Sequence, residues 1–498
     1  MPTVIPSSTN ASKDTSSISH LYGGREASLQ LHILIIGCGL GGLAAAHCLS
    51  QAGHTITMIE SARKLSEVGA GIQVSPNVSR LFERWGLGEQ LASVAVEPEA
   101  IVFRRYDNGE VVGRTRWGPG MRKAHGAPYY HVHRADLHKL VYDLTSSSSR
   151  VELRLSSTVA SVDPVPKPKV SVTLTTGEVI HGDMIIGADG VKSIVRNVVV
   201  GRPDHAEATG DAAYRAIIPT EVMLKDPDLK PFADIPEMTA WMGPKRHVMT
   251  YCIRNKKEFN LVMLHPDDGS VESWTAEGSA DKLRADFEDY DPRIRKLLSH
   301  VAVTLKWRLM DRKPLETWVH SDGRVVLLGD SCHPMLPYRA QGAAMAFEDA
   351  AMIGSLFSHL SHPAQIHPLL KAYEKLRHTR TAKTQASSRM NQRIFHLADG
   401  PEQRERDRLM WEAMQMDLRR EKGTDGGRGE GRSELEGGND INDDDDDDDE
   451  CQGSPNQWAD RQKNVEQFSY DADEVADQWW EEEGRELLRK VIPGANSN

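Results

Sequence analysis

The feature that most constrains this chain is the stretch Leu31–Leu49, LHILIIGCGLGGLAAAHCL. Ile33–Ile36 is an apolar, β-branched run of strand character. It meets Gly37-Cys38-Gly39-Leu40-Gly41-Gly42, and a small-residue segment of helical character, Leu43–Ser50, follows. A G-x-G-x-x-G between a strand and a helix assigns each glycine a task. Gly37 makes the tight turn, Gly39 lets the backbone approach a pyrophosphate, and Gly42 lets the helix pack closely on the strand. The helix N-terminus then presents unpaired N–H groups to the phosphates. A second strand, His54–Ile59, ends in Glu60. An acid about 20 residues past the glycines accepts hydrogen bonds from ribose hydroxyls. The stretch therefore reads as an adenine-dinucleotide site, with NAD and FAD both open.

Downstream, Gly69, Ala70 and Gly71 lie in a loop suited to close backbone approach, before a short amphipathic helix at Val78–Leu87. Residues 98–118 alternate around Asp107-Asn108-Gly109, a hairpin signal. Tyr129–Leu137 opens a helix running to about Thr145, and residues 151–185 are strand-like with a Pro-rich turn. The apolar strand Asp183–Ile186 runs into Gly187-Ala188-Asp189-Gly190, followed by Lys192 and Arg196. From 205 to 310 the texture changes to long alternating strands, Tyr214–Pro219, Met238–Met242, His247–Ile253 and Phe259–His265, which predict a mostly antiparallel sheet over the first domain. Arg324–Leu328 reads as a buried parallel strand ending in Gly329-Asp330, with helices expected at Ala343–Ser358, Pro368–Leu397 and Pro401–Arg420.

Composition bounds the partners. The net charge is −12, but the run Glu434–Glu450 carries eleven acids and no Lys or Arg, so the rest is close to neutral. No basic excess suggests nucleic acid. The five scattered cysteines, without Cys-x-x-Cys, fit a reducing compartment, and no metal-ligand cluster is visible. Residues 1–30 form a Ser/Thr-rich leader without a signal-peptide apolar region, and no run of about 18 apolar residues argues for a membrane span. These features predict a cytoplasmic chain. Its 498 residues divide as leader 1–30, dinucleotide-binding part 31–200 with strand insertions, sheet domain 201–312, a returning part with C-terminal helices 313–420, an acidic disordered linker 421–456 and an extension 457–498. The extension, with Trp479-Trp480 and Leu487–Ile492, either docks as a helix or stays loose.

Read together, three motifs resemble the single-component flavoprotein aromatic hydroxylases. They are Gly37–Gly42 with Glu60, Gly187-Ala188-Asp189-Gly190 with Arg196, and Gly329-Asp330-Ser331-Cys332-His333-Pro334 continued by Pro337–Ala343. His131–Leu137 and Trp241–His247 with Tyr251 are similar to the salicylate-hydroxylase branch, which includes fungal-type secondary-metabolite monooxygenases. The resemblance covers about residues 31–415. It implies an α/β fold: a Rossmann-like FAD-binding domain of the para-hydroxybenzoate hydroxylase type with an inserted, mostly antiparallel substrate sheet. It also implies non-covalent FAD, transient NAD(P)H, and O2-dependent hydroxylation of a small phenolic substrate through a flavin C4a-hydroperoxide. A flavin oxidase or dehydrogenase without oxygen insertion is the alternative.

On this resemblance the cofactor contacts are Gly37, Gly39, Gly42, Glu60, Ala70, Gly71, Arg134, Asp189, Asp330, Gly342 and Ala343. Asp330 ends a strand where a carboxylate can accept from a ribityl hydroxyl. Gly342 and Ala343 open a helix whose positive end suits a reduced flavin ring. Asp189 with Lys192 or Arg196 would serve both nucleotides. Arg215 and Tyr251, in the roof sheet, are the catalytic candidates, since positive charge holds a phenolate or carboxylate. His247, four residues from Tyr251 on one strand, and His265 are weaker candidates.

Overall fold

The computed structural model describes residues 21–65, 69–269, 277–425 and 453–493. The first twenty residues, Glu67 and the whole acidic run Glu434–Glu450 lie outside the described residues.

The motif-bearing half is built on a five-stranded parallel sheet, in the order Val325–Leu327, Met184–Gly187, His32–Ile36, Thr55–Ile59, Val151–Arg154. Met184–Gly187, Val325–Leu327 and Ile33–Ile36 are continuous apolar runs, as burial on both faces demands. The helices Leu40–Gln51 and Gly342–Phe357 pack on it, and both are apolar around most of their circumference. Small residues let them touch. A Cβ at Gly354 would stand 2.6 Å from Cys48 Cβ, and one at Gly41 would stand 3.0 Å from Ala346 Cβ.

The second sheet has eight strands, in the order Glu277–Gly278, Thr304–Asp311, Glu207–Pro219, Glu258–Pro266, Arg246–Ile253, Glu237–Gly243, Ala100–Arg105, Val111–Arg116. The expected strands of 205–310 form its centre, paired antiparallel. The hairpin of residues 98–118 forms as its turn residues dictate, but joins this sheet, with Ala100–Arg105 parallel to Glu237–Gly243. The segment before Arg134 is a short strand, Tyr130–His133, paired with Gly71–Val74, and the helix begins only at Arg134.

Strand alternation splits the eight-stranded sheet into two apolar faces. Tyr214, Trp241, Val248, Cys252, Phe259 and Leu261 pack outward against helices that include Ala280–Asp286 and Pro292–Ser299. Ala213, Met238, Ala240, Tyr251 and Leu264 point inward, toward Leu336, Tyr338 and Phe395.

The C-terminal extension is docked. After the helix Pro401–Asp425 the chain returns with helices Arg461–Phe468, Ala472–Trp479 and Arg485–Lys490. Trp479 and Leu488 enter the first core, Trp458 and Phe468 the second, and Trp480 stacks on His359 with centroids 3.6 Å apart. The Arg84 guanidinium ion-pairs with Asp471 and Asp473. Among the described residues, no helix is long and apolar enough to cross a membrane.

Candidate active site

Four strands deliver their motifs to one edge. Ile36 lies beside both Ile59 and Gly187, and Gly187 beside Leu327, so the glycine turn, Glu60, the Ala188-Asp189 turn and the Gly329-Asp330 turn all leave the same C-terminal edge of the sheet. Ligands of open α/β sheets bind at that edge.

Gly37 and Gly42 are required by the backbone packing their spacing predicts. Gly37 has φ +101°, and a Cβ there would run into the Ala188 carbonyl, while one at Gly42 would run into the Gly37 carbonyl. Gly39 differs: a Cβ there would meet nothing within 4 Å. Its lack of a side chain is therefore not required by protein packing and leaves room for a ligand against the backbone. Glu60 accepts from Cys38 N at 2.9 Å through one oxygen and from Ala62 N at 2.8 Å through the other. Both bonds hold the carboxylate at the mouth of the turn.

Asp330 opens into the cleft, yet the surrounding protein raises its carboxyl pKa, against the opposing charges of His333 and Arg134. A Cβ on Gly342 would lie 3.9 Å from Asp330 Oδ1, so the carboxylate sits beside the first residue of the helix Gly342–Phe357. That helix is anchored from behind. Arg377 Nε donates to Asp349 at 2.8 Å, and its Nη1 lies 2.6 Å from Glu348. Asp349 also accepts from Gly329 N at 3.1 Å and lies 2.6 Å from His333 Nε2. Cys332, His333 and Asp349 bring three potential ligand atoms within 4.8 Å, a cluster the sequence spacing does not announce. Here the carboxylate is already engaged by Arg377, His333 and a backbone N–H.

Two of the expected residues also hold the local structure. Asp189 accepts from the Ser193 hydroxyl at 2.6 Å and from Ile194 N at 2.8 Å, so its carboxylate supports the start of the helix Ile194–Val200, which Ser193 caps. Arg196 is buried, ion-paired to Asp204, and donates to the Ser331 and Cys332 carbonyls at 3.1 and 3.0 Å. It ties the second motif's helix to the third motif's turn.

The strand pair Gly71–Val74 and Tyr130–His133 joins floor to roof. Arg134 N donates to the Ala70 carbonyl at 2.8 Å, and Gly71 N to Asn260 Oδ1 at 2.7 Å. A Cβ on Gly71 would collide with the Tyr251 ring, so Gly71 is required by the roof. Register places Arg215, Val262 and Met249 in one row and Ile217, Asn260 and Tyr251 in the next, all on the inner face. Arg215 is half-buried with its guanidinium 4.4 Å from the Trp307 ring centroid, and desolvation lowers its pKa to about 10. It feels the charges of Tyr251 and Arg134, which puts roof and floor candidates in one neighbourhood. Burial raises the Tyr251 phenol above its ordinary range, partly offset by Arg215 and a hydrogen bond to Gln73.

The weaker candidates lie elsewhere. His247 shares the inner face but is spent on His396, 2.8 Å away, beneath Tyr338 and Phe395. His265 points outward and stacks on Tyr214 with centroids 4.6 Å apart. Residues the sequence did not announce complete the wall: Asn260, Gln73, His131 against Tyr251 at 4.4 Å, and Tyr129, which donates to Gln73 Oε1 at 2.5 Å and stacks on Trp117. Strand parity alone would have nominated Asn260 had the register to Tyr251 been readable.

A family model described as an FAD binding domain matches residues 30–388. The FAD-dependent monooxygenase OpS4 of Beauveria bassiana (strain ARSEF 2860) is 37% identical over 385 residues, covering 76% of this chain and 89% of that protein. A solved salicylate hydroxylase substrate complex is 25% identical with TM-score 0.63, covering 74% of this chain and 89% of the other. The fold of CtdE, solved in complex with FAD and its substrate 4, superposes with TM-score 0.71 at 20% identity over 93% of this chain and all of CtdE.

Proposed function

This chain belongs to the FAD-binding-domain family and is an FAD-dependent monooxygenase, and from that premise we propose that it inserts one oxygen atom into an electron-rich phenolic ring held between Tyr251 and the flavin helix. The residues present fit the cofactor. Gly37, Gly39 and Gly42 with the N-terminus of the helix Leu40–Gln51 would hold the pyrophosphate, Glu60 the ribose, and Asp330 and Arg134 the ribityl-phosphate portion. Ala70, Gly71 and the Gly342-Ala343 helix start would border the ring. Bound there, FAD supplies two-electron reduction by NAD(P)H and activation of O2.

The observation that carries the reading is that Arg215 and Tyr251 occupy adjacent rows of the inner face, with the Tyr251 ring directly above Gly71. The apolar roof excludes water, which an oxygen-transfer site requires. Arg215 supplies the positive charge that holds a phenolate or carboxylate and favours its ionised form. Tyr251, kept protonated by burial, donates a hydrogen bond and orients the ring. The salicylate hydroxylase likeness supports a small aromatic acid as the substrate class.

The test is anaerobic reduction of the FAD-loaded protein by NADH and by NADPH with a panel of phenolic acids, followed by turnover under 18O2. The expected result is accelerated flavin reduction by the right phenol and one labelled atom in its product. A product formed without label would assign an oxidase or dehydrogenase instead.

A further inference from the structure

Buried arginines in this protein carry acids. Arg377 is held by Glu348 and Asp349, Arg196 by Asp204 and Arg406 by Asp407. Arg339 breaks the pattern. It is 4% exposed, its Nη1 has no hydrogen-bond partner, and among the described residues no acid lies within ion-pair distance of it. A buried guanidinium without a carboxylate is costly to keep. Arg339 closes the turn Pro337–Arg339, three residues before the flavin helix begins, and Ala340 after it holds φ +53°. Its guanidinium lies over the Trp458 ring, 5.0 Å from the centroid, and Trp458 comes from the docked C-terminal extension. The ionisable groups whose charge it feels are Tyr129 and Asp460. Asp460 is committed to capping the helix Arg461–Phe468 and pairing with Lys463 at 3.0 Å. Tyr129 leads back through Gln73 to Tyr251.

We propose that Arg339, backed by Trp458, is an anion-binding end of the substrate pocket that takes a carboxylate of the aromatic substrate, which makes the C-terminal extension part of the specificity site. The proposal rests on the reading of an aromatic substrate beneath Tyr251. It assigns the two cations separate tasks: Arg215, in the roof, at the Tyr251 end, and Arg339, in the turn before the flavin helix, at the Tyr129 end. A planar guanidinium stacked on an indole keeps its outer edge for bidentate contact with a carboxylate.

The experiment uses the full-length, FAD-loaded protein and flavin difference spectra. Salicylate and 3-hydroxybenzoate are titrated beside their neutral carboxamides, salicylamide and 3-hydroxybenzamide. The wild type is expected to favour the acids by about tenfold or more, the strength of a hydrogen bond to a charged group. R339M should reduce that preference to near unity with FAD content unchanged, and R339K should keep part of it. Unchanged acid preference in R339M, or no acid preference in the wild type while the amides bind, overturns the proposal and leaves the monooxygenase reading standing. Loss of FAD in R339K, R339M and R339Q alike would make Arg339 structural and also overturn it. If neither acids nor amides bind or speed flavin reduction, the aromatic reading fails, and this proposal with it.

Discussion

A methyl group separates two kinds of glycine in the first turn. At position 42 it would meet the Gly37 carbonyl, and at position 39 it would meet open space. Gly42→Ala should therefore cost on the order of 3 kcal/mol of folding stability, visible as a large drop in thermal midpoint. Gly39→Ala should fold with an unchanged apoprotein midpoint but bind FAD about tenfold or more weakly in a fluorescence titration, because the pyrophosphate needs that backbone approach. Equal loss of stability in both would contradict the distinction. The proposed catalytic pair, Arg215 and Tyr251, makes a separate prediction. Tyr251→Phe and Arg215→Ala should retain FAD while product formation falls by about 100-fold or more, with NAD(P)H oxidation diverted to hydrogen peroxide. Because burial holds the Tyr251 phenol above its ordinary range, the alkaline limb of the pH profile should be the same in the wild type and in Tyr251→Phe.

At the scale of elements, the helix Gly342–Phe357 owes its position to the network behind it. Arg377→Met would leave Glu348 and Asp349 buried without their shared cation and should cost about 3–5 kcal/mol in urea unfolding. The same network sets an acid limit. Burial alone would raise the Asp349 carboxyl, but His333 and Arg377 hold it down to about 2, against an ordinary 3.8. Its folded form therefore binds protons less readily than its unfolded form, and its contribution, about 2 kcal/mol, is complete above pH 4 and lost as pH falls toward 2. Unfolding free energies measured across pH 2–6 check this, and Asp349→Asn should flatten that part of the curve. The helix itself was legible, because Gly342 and the long apolar run mark both its start and its body. Four of the five parallel strands were legible too, each a short stretch closed by a chemistry-bearing turn; Val151–Arg154, half-polar and without such a turn, was visible only as strand-like. The partner of the hairpin Ala100–Arg116 was not, since Asp107-Asn108-Gly109 specifies a turn but nothing about the strand Glu237–Gly243 across from it. His265 fails for a related reason: alternation tells which residues share a face, but not which face looks inward. Asp189 and Arg196 were recognised as a motif, yet their turn toward Ser193 and Asp204 depends on packing that spacing does not encode.

For the whole molecule, the C-terminal extension counts as core. Trp458, Phe468, Trp479 and Leu488 are all buried, and fully burying one such side chain contributes about 1.5–3 kcal/mol. A chain ending after Asp425 should lose about 6–12 kcal/mol, comparable to a domain's entire net stability. It should appear as aggregated or FAD-free protein in size-exclusion chromatography. A truncated chain that elutes yellow and monodisperse would show these contacts to be dispensable. The roof has a comparable history in the chain. Its edge pair, Ala100–Arg105 and Val111–Arg116, is made a hundred residues before its centre, with the strands Val151–Arg154 and Met184–Gly187 of the floor in between. A ribosome thus releases part of the ceiling before half the ground plan exists, and that part must wait. Grafting another enzyme's ceiling onto this base would need two matched splices at once. Lineages carrying this layout should accordingly change what they oxidise by altering single side chains over the ring, and seldom by exchanging modules.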